Sequence, residues 1–107
     1  MSRRASSRSR TVAFAALAAF LVVACAPRLP PKATLVDARR GGTSIAELEA
    51  GRSLVVRKCG NCHQTPMPSD HTAVEWLRAL DEMSPRANVA GSQRAAIERY
   101  LVVMAGR

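Results

Sequence analysis

A chain of 107 residues, 4% of them aromatic, has room for one small domain and few large side chains with which to build its core. The formal charge of +8 overstates any nucleic-acid reading: four of the sixteen basic residues, and none of the eight acids, precede residue 11, so a net +4 remains for residues 25–107. Those remaining basic residues are scattered singly apart from Arg39-Arg40 and Arg57-Lys58, and both Phe lie before residue 25, which leaves no stacking platform or phosphate-tracking stripe.

Met1 to Arg10 carries Arg3, Arg4, Arg8 and Arg10 without an acid, and Thr11 to Ala24 is almost wholly apolar. This is the order of a secretory signal over residues 1–24, and the apolar run is shorter than the roughly 20 residues that a membrane span needs. Leu21-Val22-Val23-Ala24-Cys25 resembles a bacterial lipobox, with Val22 where Leu is usual. The resemblance implies that Cys25 is acylated and becomes the mature N-terminus, placing the protein on the periplasmic side of a bacterial membrane. Ala26 supplies no acidic retention signal, which favours the outer membrane. The alternatives are an ordinary signal cut near Ala24, with Cys25 incidental, and a retained transmembrane anchor. Ala26 to Gly42 then holds Pro27, Pro30, Pro31 and Gly41-Gly42 with little apolar periodicity, so residues 25–43 are expected to be an acylated N-terminus and flexible tether.

Helical patterning begins at Ser44. Ser44-Ile45-Ala46-Glu47 fits a capping box, and Ile45, Leu48, Arg52 and Val55 fall near one face of a helix expected over about 45–58. Pro66 and Pro68 predict an irregular stretch from Gln64 to His71. Thr72-Ala73-Val74-Glu75 is a second capping box, followed by an apolar stripe of Ala73, Trp76, Leu77, Leu80 and Met83 on a helix that Pro85 should stop. Ser92 is a plausible N-cap for a last helix whose stripe is Ala96, Ile97, Tyr100, Leu101 and Met104. No strand pattern or repeat is present. The expected fold is all-α, about three helices over residues 44–107, with so small an apolar core that a buried prosthetic group would supply much of it.

Cys59-Gly60-Asn61-Cys62-His63 matches the attachment signature of c-type haem. Two thiols at this spacing can add to the two vinyl groups on one edge of a porphyrin, and the next residue offers an imidazole to the iron. A redox dithiol would require a thioredoxin-like βαβ setting that the patterning lacks. A zinc site drawn from Cys59, Cys62 and His71 would have no second Cys or His pair. From Ile45 to Met104 the chain resembles the small c-type cytochromes. Gly51 lies eight residues before Cys59, as does the glycine over which the last helix crosses closely in that family, and Ile97, Tyr100 and Leu101 match its last-helix apolar and aromatic positions. Val55 stands where an aromatic is usual. Trp76, seven residues before Met83, resembles the very short cytochrome domains that accompany bacterial periplasmic dehydrogenases.

The resemblance implies one covalent haem c held at Cys59 and Cys62, with His63 as proximal iron ligand. Candidates for the sixth position are Met67, His71, Met83 and Met104. Met67 fails on reach: opposite ligands of one iron have Cα atoms roughly 12 Å apart, and four residues extend at most about 14 Å without rounding the ring. Met83 shares its helical face with Trp76 and Leu80, and the resemblance puts a Met there; His71 is the alternative, giving a bis-His haem of lower potential. Trp76 and Tyr100 read as core residues whose polar tips could reach a propionate or water, and a carbonyl between Thr65 and Pro68 could accept the His63 Nδ1 proton. The expected function is one-electron transfer between redox partner proteins of unknown identity, as a free carrier or as the cytochrome subunit of an oxidoreductase. Competing classes are a sensing or catalytic haem with an open iron position, where His71 and Gln64 would be the distal polar groups, and a zinc-binding structural lipoprotein.

Overall fold

The computed structural model describes residues 27–107. The signal segment 1–24 and the acylation position Cys25 lie outside the described residues. These described residues form four α-helices and no strand: α1 (Leu35–Gly41), α2 (Ile45–Leu54), α3 (Ala73–Arg86) and α4 (Gly91–Ala105). A π-helical turn (Val55–Cys59) and a 3₁₀ turn (Pro68–Asp70) lie between α2 and α3. None of the described helices is long and apolar enough to cross a membrane.

Both expected capping boxes form. Ser44 Oγ accepts from the Glu47 amide at 3.1 Å while a Glu47 carboxylate oxygen accepts from the Ser44 amide at 3.0 Å. Thr72 and Glu75 do the same at 3.3 and 2.8 Å. Each box satisfies two amides that would otherwise lack partners, a contribution of about 1 kcal/mol.

Leu48, Gly51 and Val55 lie at helical spacing on the buried face of α2 and its continuation, facing Ile97, Tyr100, Leu101 and Met104 of α4. Trp76 and Leu80 of α3 complete the cluster. At the α2–α4 crossing Gly51 leaves no room for a side chain: a Cβ there would collide with the Ala96 carbonyl oxygen and come within 2.7 Å of Tyr100 Cβ. Burial of Tyr100 at the crossing pushes its phenol up to about 12.

Four details differ from the expectations. The first helix does not run regularly to residue 58, because its last turn widens into the π-helical turn. Ile45 and Leu77 are 40% and 43% exposed, so the apolar stripes are narrower than periodicity suggested. Pro85 lies inside α3, since its missing N–H removes only a bond to the carbonyl of the exposed Asp81, and the Ala87 amide still closes the end on Met83 O at 2.9 Å. Ser92 sits within the first turn of α4, which starts from an extended Ala90 without a side-chain cap.

The largest difference concerns the expected tether. Over its described part, residues 27–43, the chain is docked on the bundle and carries α1. Arg52 Nε donates to the Pro30 carbonyl at 2.7 Å, the Tyr100 hydroxyl to Pro31 at 2.6 Å and Arg107 Nη2 to Lys32 at 3.2 Å, while the Ala33 amide donates to Glu49 Oε1 at 2.7 Å. Thr34 and Asp37 form a third capping box. Asp37 is buried and accepts both nitrogens of a guanidinium fork, Arg107 Nε at 3.0 Å and Nη2 at 2.6 Å, with Arg40 at 2.9 Å. These partners of the segment lie between 16 and 75 residues away, except for Arg40, so no local pattern signals them.

Two outcomes follow. Gly51→Ala gains about 1 kcal/mol of helix propensity but must force two backbones apart, so urea unfolding should show a net loss of about 2 kcal/mol. The hydrogen bonds from Arg107 and Thr34 hold the Asp37 carboxyl well below the usual carboxylate range. A depressed folded value means that stability is present above the unfolded carboxylate value of about 3.9 and is lost as pH falls below it. Because the two arginines are 39% and 38% exposed and solvent screens them, Asp37→Asn should cost a discounted amount of about 1–2 kcal/mol near pH 7. In denaturation at a series of pH values, the gap between wild type and variant should close as pH drops below about 3.9.

Candidate functional site

The π-helical turn delivers the chain from the α2–α4 crossing into the cysteine motif. Its extra residue per turn changes the angle at which Cys59 leaves the helix. Gly60 is the second position where a side chain has no space, since a Cβ would lie 2.6 Å from Thr65 Oγ1 and 2.8 Å from the Val56 carbonyl. That closeness folds residues 59–65 back on themselves. Cys59 is half-buried, Cys62 is exposed, and the two are not joined in a disulfide.

Next to this loop is a cavity of about 510 Å³, within the roughly 300–1,000 Å³ typical of ligand pockets. Lys58, Cys59, Cys62, His63 and Gln64 line it from the motif, and Pro66, Asp70 and His71 from the following loop. Helix α3 contributes Trp76, Ala79, Leu80, Met83 and Arg86, and α4 contributes Leu101. Both cysteines, the adjacent His63, Met83 and His71 therefore share one space. Met67 and Met104 do not line it: Met67 is buried in the loop beside the 3₁₀ turn, and Met104 belongs to the core of α4.

His63 Nδ1 lies 2.8 Å from the Gln64 carbonyl oxygen. A carbonyl only accepts, so this hydrogen bond requires the tautomer protonated at Nδ1, which leaves Nε2 with its lone pair for a metal. The partner is the carbonyl of the adjacent residue Gln64, not one from Thr65 to Pro68 as expected. Trp76 Nε1 donates to the buried Pro68 carbonyl at 2.9 Å, and the Tyr100 hydroxyl is committed to Pro31. Neither polar tip enters the cavity as a donor. His71 meets the Trp76 indole edge-on, ring centroids 4.7 Å apart and planes at 89°.

Burial pushes the Cys59 thiol up. A redox-active Cys-x-x-Cys pair depends on a lowered first thiol, the opposite direction, and the described residues contain no strand from which a thioredoxin-like scaffold could be built. Among the described residues no three His, Cys, Asp or Glu side chains converge to hold a metal ion, so the donor set of a closed zinc site is missing as well. The residues present do fit a porphyrin: thiols at one edge, apolar walls from Trp76, Leu80 and Leu101, and a nitrogen and a thioether bordering the same cavity. Met83 is 39% exposed.

No family model, curated protein or solved structure matches this chain. The resemblance to c-type cytochromes therefore rests on the motif and its setting. Sequence reasoning missed Gly60 as a steric requirement, Gln64 as the histidine's partner, and Arg86 as a cationic residue on the cavity; a glycine inside the motif was the one visible signal among these.

Proposed function

We propose that this chain is an exported c-type cytochrome, tethered to a membrane through acylated Cys25, that carries single electrons between redox partner proteins. The observation supporting the reading is the shared cavity, which joins Cys59, Cys62 and His63 to Met83 across segments 20 residues apart in sequence. Haem c, when bound, supplies a one-electron iron couple in a covalently held ring.

Cys59 and Cys62 are the residues that would hold the ring, each by adding its S–H across a vinyl group, which requires no oxidant. His63 would ligate through Nε2, while its Nδ1–H donates to the Gln64 carbonyl, a bond that raises the basicity of the ring. Met83 would supply a second iron ligand, and an iron held by two side chains of the chain would be closed to substrate, as a carrier requires. Trp76, Leu80 and Leu101 keep water from the cavity walls, limiting the solvent that must reorganise when charge moves. Cys62 is exposed, so partner proteins would approach by that edge.

His71 lines the same cavity and supports a second reading, bis-His ligation. Voltammetry of haem-loaded protein should give one reversible one-electron wave, and the reduced form should not bind carbon monoxide; binding by the wild type would contradict the carrier and favour an open-site haem. Met83→Ala should remove the thioether-to-iron charge-transfer band, keep the haem attached and lower the reduction potential. Met104→Ala should leave the spectrum unchanged and cost about 2–5 kcal/mol of packing. A Met83→Ala spectrum identical to wild type, with carbon monoxide binding opened by His71→Ala, would assign the ligand to His71.

A further inference from the structure

Helix α1 is built the wrong way round for a helix facing water. Its buried face holds Asp37 and Ala38, while Leu35, Val36 and Arg39 point outward. Leu35 is 53% exposed and Val36 68%. At about 100° per residue these three fall within an arc of about 100°, with Arg39 between the two apolar side chains. Leu29, 58% exposed, precedes this helix in the docked segment. Arg28, Lys32 and Arg39 are exposed too, and none of them forms an ion pair among the described residues.

The second observation is the short leash. Pro30, Pro31, Lys32 and Ala33 are fixed to the bundle by their backbone groups. Only five residues separate Cys25 from Pro30, a span of at most about 18 Å. An acylated Cys25 would thus hold the folded body against the bilayer with no free tether between them.

We propose that the outward face of α1, with Leu29 beside it in sequence, docks on an anionic phospholipid surface, apolar side chains in the headgroup boundary and Arg28, Lys32 and Arg39 against the phosphates. The proposal rests on the acylation of Cys25. It goes beyond that reading because the protein itself, and not only its lipid, contacts the membrane, giving the body a fixed orientation. Charge complementarity commits the face to anionic lipid: three unpaired cations and no exposed acid flank it in residues 27–42. Exposed aliphatic side chains interleaved with arginine suit this boundary, where the arginine stem lies along the apolar layer and its head stays at the phosphates.

Full-length protein isolated from membranes is first weighed intact to establish acylation at Cys25. It is then placed in vesicles of phosphatidylcholine alone or with phosphatidylglycerol, and amide hydrogen exchange is followed by mass spectrometry. Exchange in α1 should be about tenfold slower on the phosphatidylglycerol vesicles at low salt, with α4 unchanged. Val36→Glu adds a carboxylate at an exposed site and should abolish this lipid dependence; because each protein is compared with itself across vesicles, any local loosening by the variant cancels. Acylated protein whose α1 exchanges equally on both vesicles overturns the docking, keeps the anchor and leaves the apolar face to a protein partner. Protein that carries no acyl group overturns the anchor and the docking with it.

Discussion

The near-contact of two helix backbones at Gly51 sets the geometry on which the rest of this small protein depends. With only one Trp and one Tyr among the described residues, the bundle cannot separate its helices with bulky layers. It brings α2 and α4 together directly, and Tyr100 is buried at their crossing. The motif inherits its position from the crossing: α2 widens into the π-helical turn, the turn delivers Cys59 to the cavity, and Gly60 packs against Thr65 and the Val56 carbonyl in the loop that carries His63. The same tyrosine reaches from the crossing to Pro31, so one residue ties the N-terminal segment to the core that places the motif.

Where the determinants are local, the fold was legible. Ser44 with Glu47 and Thr72 with Glu75 start their helices as expected, the spacing of Leu48, Gly51 and Val55 gives the buried face of α2, and Gly51 stands at the crossing that the family resemblance implied. The docked segment was misread because its partners, Arg52, Tyr100 and Arg107, are remote and it is rich in proline. The proline carbonyls turned out to be acceptors for distant side chains. A signal did exist in Thr34-Leu35-Val36-Asp37, a capping pattern of the same form as the other two. Leu77 and Ile45 show the limit of periodicity, which gives a face but not how wide a strip of that face a small core can cover.

At the site, the motif was legible from its spacing, and the structure divides the remaining candidates by whether they border the cavity. Met83 and His71 border the cavity, whereas Met104 is occupied in the core and Met67 lies buried outside the cavity lining. Spacing excludes Met67 on reach but leaves His71, Met83 and Met104 open, because the path of the loop from Gln64 to His71 depends on the Trp76 bond to Pro68, a contact across eight residues that no local rule specifies. The polar tips of Trp76 and Tyr100 are bonded to backbone carbonyls, so the cavity lining is apolar apart from the cysteines, His63, Gln64, His71, Lys58, Asp70 and Arg86. An apolar cavity beside two thiols, in a protein with few large side chains, is the physical basis for expecting a prosthetic group to complete the core.

The central claim is that Cys59 and Cys62 are the attachment points of a haem. It is tested most directly by the intact mass of the protein, purified from cells able to mature c-type cytochromes and fully denatured before measurement. The expected mass is that of the mature, acylated polypeptide plus one haem, with the haem increment lost when Cys59 and Cys62 are replaced by alanine. A denatured mass equal to the polypeptide alone, with any haem extracted into acid acetone, would contradict it.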